Sequence, residues 1–108
     1  MDEFTALADP TRRQILELIA AQGQLSASAI CRNFSVSGPA ISQHLKVLRQ
    51  FHLVEMESRA QQRLYQINGQ ALLGIERWVR AMREQWNARL DRLEQVIARD
   101  QEQGGPHG

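Results

Sequence analysis

Residues 35–50 read SVSGPAISQHLKVLRQ. Ser37 offers the short hydroxyl of a helix N-cap, and Gly38 and Pro39 fall in the first turn, where a missing amide donor is tolerated. Ile41, Leu45 and Leu48 then recur at i, i+4 and i+7, which is one face of an α-helix. At about 100° per residue these three point inward, while Pro39, Gln43, Lys46 and Gln50 point most directly away, with Ala40, Ser42 and His44 on the flanks. Solvation alone asks only for polarity on an outer face. Small hydrogen-bonding groups at the helix start followed by a cation ask for a ligand.

The segments before this helix supply its context. Ser26 can cap ASAICRNF, a helix of about two turns with Ile30 and Phe34 four apart on one side. Two helices joined by a short turn, the second opening with small polar groups, form the pattern of a helix-turn-helix. Upstream, Asp9-Pro10 followed by TRRQILELIAA predicts a capped helix with Ile15, Leu16, Leu18 and Ile19 on its buried side and Gly23 at its end. A short helix over Glu3 to Ala8 precedes it, and no strand is predicted in this part of the chain.

After residue 50 the period changes. LVEMES and QRLYQI show partial two-residue alternation and are separated by Arg59-Ala60-Gln61, so they read as a hairpin whose turn lacks the usual Gly or Asn. A basic hairpin directly after a helix-turn-helix is the layout of a wing, with Arg59 and Arg63 placed to meet a DNA backbone or minor groove. From Gln70 to Asp100 the pattern is one long helix. Leu72, Ile75, Val79, Met82 and Trp86 form a stripe that Leu90, Leu93 and Ile97 continue after one extra residue, and Trp78 and Leu73 broaden it. A seam of this length predicts burial against another chain. Glu76, Arg80 and Glu84 make an i, i+4 charge series on the solvent side. The fold class is mainly α with a small β-hairpin wing, a winged helix-turn-helix over residues 1–100, followed by a disordered tail at 101–108.

Composition narrows the function. No apolar run approaches the ~18 to 20 residues of a membrane span, and no signal-peptide pattern opens the chain, so the expectation is a cytoplasmic protein. Cys31 is the single cysteine and cannot form an internal disulfide. The net charge of +1 announces no partner, but its distribution is uneven. Residues 1–31 set Arg12 and Arg13 against Asp2, Glu3, Asp9 and Glu17, net −2. Residues 32–66 set Arg32, Lys46, Arg49, Arg59 and Arg63 against Glu55 and Glu57, net +3, and the remainder balances.

Three motifs in order, ALADPTRRQILELI, SVSGPAISQHLKVLRQFHLV and the hairpin ending RLYQIN, resemble the ArsR (arsenic-repressor-like) family of bacterial winged-helix regulators from about Phe4 to Asn68. WVRAMREQWNARLDRLE further resembles the subgroup with an extended C-terminal helix and no known metal site. The resemblance implies a homodimer built from the first and last helices, here Phe4, Leu7, Ile75, Trp78, Val79, Met82, Trp86, Leu90 and Leu93, binding a double-stranded operator. On DNA, Ser42 and Gln43 would meet base edges, Gly38 and Pro39 would permit close approach, and Ser37, His44 and Lys46 would hold phosphates with Arg59 and Gln61 of the wing. The arsenic-sensing members carry Cys-x-Cys at the start of the third helix, where this chain has Ser26 and Ser28. The zinc-sensing members use Asp and His on the last helix, and residues 70–100 contain no histidine. Neither metal site is expected, and no cofactor.

Several residues admit a second reading. Ser37, Ser42, His44 and Asp9 contain the ingredients of a catalytic triad, but no nucleophile elbow or oxyanion signature accompanies them, and no enzyme is expected. Cys31 reads as a buried small hydrophobe, and Trp78 and Trp86 as interface core. Arg12 and Arg13 fit either a flanking phosphate or a solvated helix face, and His52 and His107 have no partner pattern. The expected function is repression by promoter occlusion, the alternative being a winged-helix protein-interaction module with no direct DNA role.

Overall fold

The computed structural model describes residues 3–104, with side chains as far as Gln101. The chain divides into two compact units, Met1–Leu73 and Gly74–Gly108.

The first unit opens with α1 (Glu3–Leu7) and α2 (Pro10–Gln22). Asp9 caps α2 through Oδ1, which accepts the Arg12 amide at 3.0 Å, and Pro10 takes the first helical position as expected. Gly23 ends the helix at φ 91°, a region that favours glycine, and its N–H reaches Ile19 O at 2.7 Å. Next come β1 (Gln24–Ser26), α3 (Ala27–Arg32) and α4 (Gly38–Gln50). Ser26 and Ser37 cap α3 and α4, their hydroxyls accepting the amides of Ala29 and Ala40.

The C-terminal end of α4 closes without a glycine. Leu53 N–H bonds Leu48 O at 2.9 Å and His52 N–H bonds Arg49 O at 3.1 Å, which is a Schellman closure with His52 in the left-handed position at φ 62°. The closure turns the chain directly into β2 (Val54–Arg59), which pairs with β3 (Gln62–Ile67). Only Ala60 and Gln61 lie between the strands, with Ala60 at φ 56°. Arg59 is thus not a turn residue but the last strand residue, paired with Gln62.

The sheet has three strands in the order β1-β3-β2, all antiparallel. The expected hairpin is present, and β1 adds a strand that the sequence reading lacks. Its three residues Gln24, Leu25 and Ser26 are too few to show alternation. They form a strand because β3 offers them an edge, with Leu25 opposite Tyr65.

The core is where the two periodicities meet. Ile15, Leu16 and Ile19 of α2, Ile30 of α3, Ile41, Leu45 and Leu48 of α4, and Leu53, Val54 and Tyr65 at the sheet are all buried, with Ala6 of α1. Each large side chain fully withdrawn from water contributes about 1.5–3 kcal/mol. No polar or charged residue among those described is buried with them.

In α5 (Gly69–Gly104) the helix continues four residues into the stretch assigned to the tail, and residues 105–108, with His107, lie outside those described. Within the second unit Trp78, Val79, Met82, Trp86, Leu90, Leu93, Val96 and Ile97 are all exposed, Trp86 at 59%. Arg80 pairs with Glu76 at 3.1 Å, as the i, i+4 spacing predicts. No helix among the described residues is long and apolar enough to cross a membrane.

Candidate nucleic-acid interface

Helix α4 is held by its inner face. Ile41, Leu45 and Leu48 are at most 1% exposed, which leaves Ser42, Gln43, Lys46, Arg49 and Gln50 on the outside. Ser37, Gly38 and Pro39 are also exposed at the helix start. A Cβ added at Gly38 would meet nothing within 4 Å, so its small size leaves open space in front of the helix start.

A groove runs along this outer face. Ala27, Leu45 and Tyr65 form its floor, and Pro39, Ser42, Gln43, Lys46, Arg49 and Arg63 surround it. The structure brings together Pro39, Ser42, Gln43 and Lys46 of α4 with Arg63 of the wing, all of them named from the sequence, and adds Arg49. Arg49 follows Lys46 by three residues, a spacing readable from the helix period. Arg63 follows from strand alternation, since it lies two residues before the buried Tyr65 and so on the same face of β3.

The wing has two chemically different faces. Tyr65, opposite Met56 and Leu25, sits on the core side together with Arg63 and Ser58. The other side carries Gln66, Glu55, Glu57 and Arg59, and hydrogen bonds tie it together: Gln66 Nε2 donates to Glu55 Oε2 at 3.3 Å and Gln24 Nε2 to Glu57 Oε2 at 3.4 Å. Arg59 is paired there with Glu57 at 3.2 Å. Gln61 is exposed at the turn, beside a recess that Ser26, Ser28 and Arg63 also line.

His44 faces the other way from the groove. It is half-buried, and its Nδ1 is shielded from solvent without a hydrogen-bond partner among the described residues. Its imidazole lies within electrostatic reach of Asp9. The Asp9 carboxyl is held below the usual carboxylate range, chiefly by the Arg12 amide, with His44 adding in the same direction and burial opposing.

Arg12 and Arg13 have a role that neither sequence reading named. Arg12 Nε donates to Ala6 O at 2.7 Å and its Nη2 to Thr5 O at 3.3 Å, while Arg13 Nη1 donates to Leu7 O at 2.6 Å. Both guanidinium groups satisfy the last carbonyls of α1, where the helix carries its negative end.

Elsewhere in the first unit, Ser26 Oγ is engaged as a cap, Ser28 is exposed, and Cys31 is a half-buried free thiol. No group of three or more His, Cys, Asp or Glu among the described residues is arranged to hold a metal ion. Ser37 Oγ is engaged with Ala40, and no hydrogen bond among the described residues links Ser42, His44 and Asp9 into a triad. In the first unit Phe4 is exposed and Leu7 half-buried; in the second Ile75 is half-buried.

A capped helix with a polar outer face, preceded by a short helix and followed by a β-hairpin that β1 extends to a three-stranded sheet, defines a winged helix-turn-helix regulator. Residues 9–56 match the model of the bacterial regulatory protein arsR family. The chain is 40% identical over 84 residues to the HTH-type transcriptional regulator Rv2034 of Mycobacterium tuberculosis, covering 73% of this chain and 78% of that protein. It is 36% identical over 76 residues to the transcriptional repressor SdpR of Bacillus subtilis, covering 70% and 83%. The solved structure of an ArsR-like transcriptional regulator from Rhodococcus sp. RHA1 superposes with a TM-score of 0.75 at 31% identity, covering 86% of this chain and 87% of that one. The chain belongs to the ArsR family: it is a transcriptional regulator, and not an enzyme.

Proposed function

We propose that this regulator is a homodimeric, sequence-specific repressor that occludes a promoter by occupying a double-stranded operator, and that it does so without the family's metal site. The observation that carries the reading is the division of α4, buried along Ile41, Leu45 and Leu48 and open along Ser42, Gln43 and Lys46. Ser42 and Gln43 read base edges, and Lys46 holds a phosphate. A good bidentate base contact is worth about 1–3 kcal/mol of discrimination, whereas a phosphate contact adds affinity without sequence choice.

The exposed apolar stripe of α5 supports the dimer, since a face of this size left in water costs solubility and calls for a second copy. Two copies set their recognition helices about one turn of DNA, roughly 34–36 Å, apart. The similarity to a protein named as a transcriptional repressor supports repression. Ser26 and Ser28 at the positions of the Cys-x-Cys pair support independence from soft metals. Such a protein acts in the cytoplasm, where its operator is.

Footprinting on the DNA upstream of its own gene, with reduced, oxidised and metal-loaded protein side by side, tests the proposal. Identical protection in all three is the expected result. Protection lost on metal loading would contradict the metal-independent reading, and a stable dimer with no footprint would point to a protein-interaction module.

A further inference from the structure

The arginines of the first unit are not equivalent. Arg12 and Arg13 are bound to the carbonyls of α1, and Arg59 is paired with Glu57. Lys46, Arg49 and Arg63 have no acidic partner among the described residues, yet all three border the same groove, and no Asp or Glu lines it. Three cations held near one another without counter-charge repel each other, at a cost that an anionic ligand in the groove would remove. The opposite face of the wing has the reverse character, with Glu55 and Glu57 outnumbering Arg59. Laid against phosphates, that face would be repelled.

We propose that Lys46, Arg49 and Arg63 form a seat for one sugar-phosphate strand of double-stranded DNA, lying between α4 and the sheet, and that Arg63 rather than Arg59 is the wing's principal DNA contact. The proposal rests on the DNA-binding reading above and adds where the backbone lies and which side of the wing faces it. Two features fit an extended polyanion better than a small anion. The groove is open along α4 from Pro39 to Arg49, about 15 Å of helix. Its floor is apolar at Leu45 and Tyr65, so the charge sits at the edges, as binding to successive phosphates requires.

The test is equilibrium binding of the full chain to a duplex of about 30 base pairs from its own upstream region, long enough for two half-sites, and to a scrambled duplex of equal composition, over a salt series. Removing one phosphate-binding cation should make the slope of log K against log salt shallower by about 0.9, and so by about 1.8 in a dimer, where the substitution acts twice. The expected result is that Arg63→Gln and Arg49→Gln each flatten the slope on both duplexes, Arg63→Lys retains it, and Arg59→Gln leaves it unchanged. An unchanged slope for Arg63→Gln, a weakening confined to the upstream duplex, or failure of Arg63→Lys to retain the slope would each overturn the seat while the wild-type chain still bound DNA. Absence of salt-dependent binding by the wild-type chain would instead remove the DNA reading itself.

Discussion

Asn68 donates from Nδ2 to the backbone carbonyl of His52 at 2.7 Å, fastening the segment that leaves β3 to the end of α4. The same side chain accepts the Gln70 amide at 3.1 Å through Oδ1, capping α5, and its backbone N–H reaches Leu53 O at 3.0 Å. Replacing it by alanine removes a cap and a tertiary bond together. Asn68→Ala should cost about 1–2 kcal/mol in urea unfolding. A change within about 0.3 kcal/mol of zero, below the typical cost of removing a cap, would mean that water replaces both bonds.

His52 itself holds a left-handed backbone that a side chain resists. Its carbonyl and amide make the bonds that matter, and both survive a change of side chain. His52→Gly should therefore stabilise the protein by about 1 kcal/mol in the same unfolding measurement. Destabilisation would show that the imidazole makes a contribution of its own.

Asp9 gives a pH signature. Its carboxyl has a lowered folded-state pKa, so the stability it supplies is complete above the ordinary value of 3.8 and is lost as pH falls through the lower folded value. Asp9→Asn keeps the cap but not the charge. The melting temperatures of the two proteins should differ at neutral pH and converge on acidification below 3.8. A constant difference down the acid limb would contradict the assignment.

Met82 lies midway along the exposed stripe of α5, between Trp78 and Trp86. A glutamate there would bury charge against charge in a symmetric seam. Met82→Glu should weaken self-association at least about 100-fold, about 2.7 kcal/mol, in sedimentation velocity. An unchanged dimer would place the interface elsewhere.

Much of this architecture is legible in the sequence, and the exceptions have physical causes. Helix α4 is readable because Ser37, Ile41, Leu45 and Leu48 satisfy capping and periodicity at once. Strand β1 is not, because Gln24, Leu25 and Ser26 extend only in answer to β3. Arg12 and Arg13 look like a solvated pair, since nothing in their own spacing announces the carbonyls of Thr5, Ala6 and Leu7. The assignment of Arg59 as a turn residue illustrates how sharply strand parity acts. With Arg59 in the turn its direction is open, whereas pairing it with Gln62 sends it to the face opposite Arg63. Arg63 is named from the sequence beside Arg59, and the face it takes follows from the buried Tyr65 two residues on in the same strand.

If the outer face of α4 reads sequence, Gln43 at its middle is the residue to ask. Binding of wild type and Gln43→Ala should be measured against a series of single-base operator variants at fixed salt. The expected result is that Gln43→Ala flattens the preference at one position of each half-site, by about 1–3 kcal/mol, and leaves the other positions alone. An unchanged preference profile at every position would contradict sequence reading by this face.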